Sequence, residues 1–395
     1  MTEVPADPPL HTDSLAVVAG RADNGAALAP ILWSSSTWTS AGLDDARRRA
    51  TSARPERFYS RYGNPTVRAF EEAVASLEGA EDALAFGSGM GAIASTVLAL
   101  CSKGSHIVAQ RQLYAGTLAF LDGPCRRFGI DVTYVDATEP GAFAAAVRPG
   151  RTIVVLAETP SNPRLELADL DELGGLRGPF TVVDSTFATP LGQRPLEHGV
   201  HLVLHSATKG IAGHNDATLG VIAGERELVE AIWGYAVLHG ATPSPHDALN
   251  GLRGIRTLAV RVARQVETAE HIVRALVAVA GVKSVHHPSM ASHPQHDLAR
   301  RQMRHFGSVL AFELEGGQPA VSCLLDRVRL MRIATSLGGP ETLLCHPAST
   351  THASLDPDEQ ARIGVTPGLV RMSVGLEHRD DLLVDLRQAL IMPKA

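Results

Sequence analysis

Leu204-His205-Ser206-Ala207-Thr208-Lys209, with Gly213-His214-Asn215-Asp216 just behind it, decides how the rest of this chain is read. The lysine follows the apolar run Leu202-Val203-Leu204, which reads as a short buried strand, and it is flanked by small hydroxylated residues. An amine so placed is what a Schiff-base site for pyridoxal 5'-phosphate requires: Lys209 forms the imine, and Ser206 and Thr208 can hydrogen-bond the phosphate. Lysine is otherwise scarce, confined to Lys103, Lys283 and Lys394, so arginine supplies nearly all of the 36 basic residues. The tetrapeptide alone more often marks a surface lysine in a Ser/Thr loop. The surrounding chain decides against that.

Outward from the lysine, short β-branched runs alternate with Ala-rich helical stretches. Strands are predicted at Ser105–Ala109, Asp131–Val135, Thr152–Ala157, Thr181–Asp184, Leu202–His205 and Leu219–Ile222. Such alternation implies a mostly parallel sheet covered on both faces, an α/β large domain. Asn64-Pro65 opens a helix, with Asn as N-cap and Val67, Phe70, Val74 and Leu77 at helical spacing. Beyond about residue 250 the pattern changes to a long amphipathic helix over Ile255–Ala280. Strands Ser308–Leu314, Leu330–Ile333 and Val370–Val374 and a closing helix Asp380–Ile391 follow. The division expected is an irregular N-terminal arm over 1–60, a cofactor-binding large domain over 61–250, and a smaller α+β domain over 251–395.

Composition sets the limits. The chain has 395 residues, a formal charge of −6 and 45 % hydrophobic residues, which suits a globular protein with a sizeable core. Without a basic run it offers no nucleic-acid surface, and no apolar stretch reaches the length of a membrane helix. Cys101, Cys125, Cys323 and Cys345 are widely spaced and form no CxxC pair, which favours reduced thiols and a cytoplasmic location. The start, Met1-Thr2-Glu3-Val4-Pro5-Ala6-Asp7-Pro8-Pro9, lacks the regions of a signal peptide. The 17 histidines show no metal-ligand spacing, and His286-His287 reads as surface.

Other residues extend the chemistry. Phe86-Gly87-Ser88-Gly89-Met90-Gly91-Ala92, entering a helix expected over Ile93–Leu100, can offer backbone N–H groups to a phosphate. It lacks the Gly-Lys-Ser/Thr ending of a nucleotide loop. Asp184, ending an apolar strand, is either a helix cap or the partner of a buried cation such as a pyridinium nitrogen. Tyr114, in Gln112-Leu113-Tyr114-Ala115-Gly116-Thr117, is placed to stack on a flat cofactor, though a lone tyrosine is more often core or rim. Arg371, inside an apolar strand, needs an anion: an internal acid or the carboxylate of an amino-acid substrate.

In this order these segments resemble the Cys/Met-metabolism family of pyridoxal-phosphate enzymes, the cystathionine γ-synthase, cystathionine γ-lyase and methionine γ-lyase group. The likeness runs from about Thr12 to Leu390. It rests on Tyr59-Ser60-Arg61-Tyr62-Gly63-Asn64-Pro65-Thr66, on Glu158-Thr159-Pro160-Ser161-Asn162-Pro163, on Ser206–Asp216, on Ser336-Leu337-Gly338-Gly339 with His346-Pro347-Ala348, and on Arg371-Met372-Ser373-Val374-Gly375-Leu376-Glu377. The resemblance implies the type I, aspartate-aminotransferase-like fold and a tetramer of two catalytic dimers. Gly89 and Met90 would bind the phosphate with Ser206 and Thr208, and Tyr59 and Arg61 would reach it from the neighbouring subunit. Tyr114 would stack on the ring and act as acid at the leaving group, and Asp184 would pair with the pyridine nitrogen. Asn162, Ser336 and Arg371 would position the cofactor oxygen and the substrate carboxylate. The implied reaction is γ-elimination or γ-replacement on a sulfur-containing or γ-activated amino acid. Alternatives are β-elimination of cystathionine or cysteine, transamination, and a non-catalytic relative; retention of Lys209, Asp184, Tyr114 and Arg371 argues against the last.

The departures from the family pattern gather around the pocket. Ala115 and Gly116 replace the glycine and cysteine usual in methionine-cleaving relatives. Thr335 stands where cystathionine-handling relatives tend to have glutamate, and Gly210 replaces the aromatic residue that usually follows the lysine. Ser185 takes an asparagine position, and Ala236–Ala241 lacks a lysine that some relatives carry. They leave room for an unusual γ-substituted amino acid.

Overall fold

The computed structural model describes residues 10–390. Its larger sheet has seven strands: β1 (Asp82–Phe86), β2 (His106–Gln110), β3 (Asp131–Val135), β4 (Thr152–Glu158), β5 (Phe180–Asp184), β6 (Leu202–His205) and β7 (Gly220–Gly224), in spatial order β1-β7-β6-β5-β4-β2-β3. β2 to β6 run parallel, and β7 is antiparallel to both β6 and β1. Alternate residues face opposite layers. On β1, Leu84 and Phe86 enter the core under helices Gly89–Leu100 and Arg226–His239, while Ala83 and Ala85 enter the one under helix Pro65–Glu78. That helix starts as expected: the Asn64 side chain accepts from the Thr66 N–H at 2.9 Å, Pro65 takes the first position, and Gly79 ends it with φ of 68°.

The smaller sheet joins β8 (Val282–His286), β9 (Val309–Leu314), β10 (Arg332–Ile333), β11 (Leu343–Cys345) and β12 (Leu369–Ser373) in the order β10-β11-β12-β9-β8. It is antiparallel except for the β10–β11 pair. Helices Gly317–Arg327 and Arg379–Leu390 cover it. Helix Leu258–Leu276 links the two layers: Leu258, Val262 and Val266 pack into the large-sheet core, while Ala269, Ile272, Val273 and Leu276 pack into the small-sheet core.

Three expectations need correction. The helix expected over Ile255–Ala280 is shorter, Leu258–Leu276, and a separate helix Pro245–Ile255 precedes it, with the break at Arg256-Thr257. Gly254 seats the preceding helix against Ala212, where a Cβ would come within 2.1 Å of a carbonyl oxygen, and the chain must turn to reach the second sheet. The arm over 1–60 contains helices Thr12–Val18 and Leu43–Thr51; the stretch Met1–Pro9 lies outside the described residues. His287 is not at the surface but fully buried, its Nδ1 paired with Ser289 Oγ at 2.7 Å. The segment after it ties the smaller sheet to the larger. Gln295 Oε1 accepts from Leu167 N at 2.7 Å, and Gln302 Nε2 donates to Ala168 O at 3.0 Å.

Burial draws His287, His293 and His305 each down to about 4, so all three are neutral in the fold. An unfolded histidine titrates near 6.5, so their contribution is complete above that value and is lost as pH falls through the folded value. For His287 the shift implies about 2 kcal/mol lost by pH 5. His287→Gln should therefore melt below wild type at pH 7.5, with the gap narrowing at pH 5. A gap that stays constant across that range would show that His287 titration does not contribute.

Candidate active site

The parallel strands deliver their last residues to one edge of the sheet, the position where open α/β sheets bind ligands. Glu158 ends β4 and Asp184 ends β5 in direct register, and β6 runs into Ser206 and Lys209. These residues line a cavity of about 290 Å³ together with Gly89, Met90, Tyr114, Asn162, Thr208, Ser336 and Arg371. Ten of the twelve residues singled out in the sequence are thus brought together. Tyr59 and Arg61 are not. Arg61 Nη1 donates to Val237 O at 2.9 Å, and its guanidinium lies 4.8 Å from the Tyr62 ring centre and 5.5 Å from that of Tyr59, outside the cavity of its own chain.

The phosphate end is built from a helix start. Helix Gly89–Leu100 begins four residues earlier than expected, because the Ser88 side chain caps it by accepting from Gly91 N at 2.9 Å. The N–H groups of Gly89 and Met90, which an α-helix cannot pair internally, are thereby directed at the cavity. Gly89 packs on Ser206 so closely that a Cβ would lie 2.8 Å from the serine Cβ. Thr208 is turned differently from the expectation. Its hydroxyl donates to Leu219 O at 3.1 Å and accepts from Leu219 N at 2.8 Å, so a phosphate must compete with the backbone for it.

At the opposite end, Asp184 is both of the things considered for it. Its Oδ1 accepts from Thr186 N at 2.9 Å and from the Thr186 hydroxyl, capping the turn, and the carboxyl still lines the cavity. Thr186 in turn accepts from Ser206 N at 2.8 Å. Burial pushes Asp184 upward, and burial together with the neighbouring Asp184 charge pushes Glu158 well above the usual carboxylate range. Two acids so placed fit a cationic pyridine nitrogen, which would restore the charge that burial opposes. Glu158 also braces the site: its Oε2 accepts from Tyr114 N at 2.8 Å and its Oε1 from Asn162 N at 2.9 Å. Glu158 belonged to a recognised motif, but its bracing role and that of Thr186 escaped the sequence. Only the register between β4 and β5 reveals them.

Lys209 Nζ donates to Ser336 Oγ at 2.8 Å, and burial with the nearby Arg371 charge lowers its pKa. A depressed amine is the reactive form for attack on an aldehyde. Ser336 has φ of 89°, rare for a residue with a side chain, and its carbonyl accepts from Arg371 Nη2 at 2.8 Å. Arg371 is 3 % exposed; its Nη1 donates to Asn162 Oδ1 at 2.9 Å. Its Nε has no partner among the described residues, and the nearby acid, Glu158, directs its hydrogen bonds to Tyr114 N and Asn162 N instead. A substrate carboxylate fits that deficit.

The sequence profile of the family described as Cys/Met metabolism PLP-dependent enzyme matches residues 13–391. The chain is 42 % identical over 373 residues to the L-methionine gamma-lyase of Pseudomonas putida, covering 93 % of this chain and 94 % of that one. It is 39 % identical over 386 residues to the O-succinylhomoserine sulfhydrylase of Pseudomonas aeruginosa, covering 96 % and 94 %. The crystal structure of cystathionine gamma synthase from Xanthomonas oryzae pv. oryzae in complex with aminoacrylate and cysteine superposes with a TM-score of 0.91 at 37 % identity, over 97 % of this chain and 98 % of that one. The fold is therefore the type I fold of pyridoxal-phosphate enzymes, a mostly parallel large sheet joined to a smaller antiparallel one. From a whole-length profile match and relatives of this identity it follows that the chain is a pyridoxal-phosphate-dependent enzyme of the Cys/Met metabolism family.

Proposed function

We propose that this enzyme catalyses γ-elimination or γ-replacement on a sulfur-containing or γ-activated amino acid of the cystathionine, methionine or O-acylhomoserine class. The observation that carries it is the convergence of Lys209, Tyr114 and Arg371 on one cavity. Pyridoxal phosphate, when bound, supplies a ring that takes up the charge left at carbon as protons are removed. Gly89, Met90 and Ser206, with Thr208, would hold its phosphate, Asp184 its nitrogen and Asn162 its ring oxygen. Arg371 and Ser336 would hold the substrate carboxylate, and Lys209 Nζ, which Ser336 contacts, would remove the α-carbon proton. Tyr114, with its backbone fixed by Glu158, delivers a proton to the departing γ-group.

Tyr59 and Arg61 serve the phosphate of a neighbouring subunit, since their own cavity does not contain them. A shared site makes the working form a catalytic dimer; its pairing into a tetramer rests on the family resemblance, and a cytoplasmic location on the widely spaced free cysteines. No helix among the described residues is long and apolar enough to cross a membrane.

A second reading, a specialised relative acting on an unusual γ-substituent, is favoured by the outer pocket. A vestibule of about 670 Å³ adjoins the cavity at Thr335 and Ser336; Thr335 itself brings no carboxylate, and the acids that line the space are Asp216, Asp247 and Glu341 instead. A Cβ at Gly116 would lie 2.5 Å from the Tyr114 ring, so the glycine leaves that ring space to lean back. Mass spectrometry of products from cystathionine, methionine, homocysteine, O-acylhomoserines and γ-halogenated amino acids, with and without added thiol, separates the cases. A four-carbon substrate losing its γ-group gives 2-oxobutanoate, while β-elimination of cysteine gives pyruvate. No product from any member would exclude the first reading.

Tyr114→Phe should slow turnover about 100-fold while cofactor stays bound; unchanged turnover would remove its role as acid. Arg371→Lys should raise KM and lower kcat/KM by about 10- to 100-fold, because an ammonium cannot span Asn162, Ser336 and a carboxylate together. Arg61→Ala and Lys209→Ala, each inactive alone, should regain part of the activity when mixed into hybrid dimers. Confirmed hybrids without activity would contradict the shared site.

A further inference from the structure

Arg261 stands in the first turn of helix Leu258–Leu276, yet only 4 % of it is exposed. Burial draws its pKa down to about 10, with no acid opposing the shift. A cation removed from water must be held by dipoles or anions, and here it is held by dipoles. Nη1 donates to Gly210 O at 2.9 Å, Nη2 to Ile211 O at 3.2 Å and to Gly254 O at 2.7 Å, and Nε to Thr257 Oγ1 at 3.1 Å.

Two of those carbonyls belong to the residues directly after Lys209. The lysine turn closes through Lys209 N to Ser206 O at 3.0 Å and Gly213 N to Lys209 O at 2.8 Å, and no continuing helix follows to pair the carbonyls of Gly210 and Ile211. Arg261 takes both. Gly213, with φ of 68°, leaves space for the guanidinium: a Cβ there would sit 1.9 Å from Nη1. On the other side of the turn, Gly338 presses on Gly210 so tightly that its Cβ would lie 2.5 Å from the Gly210 nitrogen. The backbone of the reactive lysine is thus held between a guanidinium and the loop whose Ser336 receives Nζ.

We infer that Arg261 is a positioning residue for Lys209: by fixing the carbonyls of Gly210 and Ile211 it sets the direction in which the Lys209 amine meets the cofactor aldehyde. A planar guanidinium can serve three carbonyls and a hydroxyl at once, which an ammonium on a flexible stem cannot. The inference rests on Lys209 being the attachment lysine and adds to that a residue that touches neither cofactor nor substrate.

The test reads attachment, not turnover. Full-length protein stripped of cofactor is mixed with saturating pyridoxal phosphate and quenched with borohydride over time. Joining Nζ to the aldehyde releases one water, and the borohydride hydride makes the bond permanent, so peptide mass spectrometry counts the label on Lys209. Wild type beside Lys209→Ala decides whether Lys209 is the attachment site; the ratio of variant to wild type decides the role of Arg261. In Arg261→Gln, labelling at Lys209 should slow about tenfold or more, while unlinked cofactor retained on dialysis changes little, and Arg261→Lys should recover part of the rate. Gly213→Ala, which displaces the guanidinium without removing it, should reproduce the slowing and serves if Arg261→Gln fails to fold. A variant of either kind that melts lower but labels Lys209 at the wild-type rate overturns the inference and leaves Arg261 a scaffold residue only. Absence of label in wild type would take the attachment reading down with it.

Discussion

Glu158 and Asp184 end adjacent parallel strands side by side in the interior, and the need to compensate two buried carboxyls governs the cavity around them. Each finds part of its compensation locally. Glu158 takes two backbone N–H groups and in doing so fixes Tyr114 and Asn162; Asp184 takes Thr186 and through it reaches Ser206. The Arg371 charge answers part of what remains at Glu158, and the pair of carboxyls lies between the tyrosine on one side and the lysine strand on the other. Cofactor recognition and the bracing of the catalytic groups are consequently one arrangement of hydrogen bonds.

The second sheet completes this arrangement from outside. Ser336 and Arg371 come from its side, and their bonds to Lys209 and Asn162 are the polar contacts that cross the cavity. Arg371 forms no ion pair among the described residues; Asn162 and the Ser336 carbonyl hold it, with the Glu158 charge nearby. The buried amides of Gln295 and Gln302 hold Leu167 and Ala168, in the loop that follows Asn162, from behind. Of the residues that depart from the family pattern, Thr335 lines both the cavity and its vestibule, whereas Gly210 is packed between Thr189 and Gly338 and adds no space to either.

How much of this was legible in the sequence follows the physics of each segment. Strands β2, β4, β5 and β6 carry β-branched runs buried on both faces, and edge strand β3 carries one that is half-buried, so their pattern is local and was read within a residue or two. β1 was missed because Asp82-Ala83-Leu84-Ala85-Phe86 has weak strand propensity and is made a strand by pairing with β7. β11 is three residues long and takes its conformation from β12, and β8 carries Lys283 and His286 at an edge, where neither alternation nor apolar content is required. The site residues carried by local motifs were found. Thr186, the bracing by Glu158 and the carbonyl-bound Arg261 were not, because their meaning lies in what tertiary structure puts beside them. His287 failed for the same reason: a pair of histidines looks hydrophilic until the chain folds it between the two sheets.

The antiparallel insertion of β7 between β6 and β1 has a temporal side. β1 emerges early in synthesis, but its hydrogen-bonding partners at residues 220–224 are made only after every parallel strand of the sheet. Until then an alanine-rich edge, with helix Pro65–Glu78 lying against it, has no neighbour to complete its ladder. Pairing so distant in sequence must pay loop-closure entropy before it gains any contact, which makes it slow. The growing chain therefore carries an open strand edge for most of the time its large sheet is being made. Lys209 is made just before the strand that closes that edge, but the groups that hold it, Arg261 and the Ser336 loop, come from later in the chain.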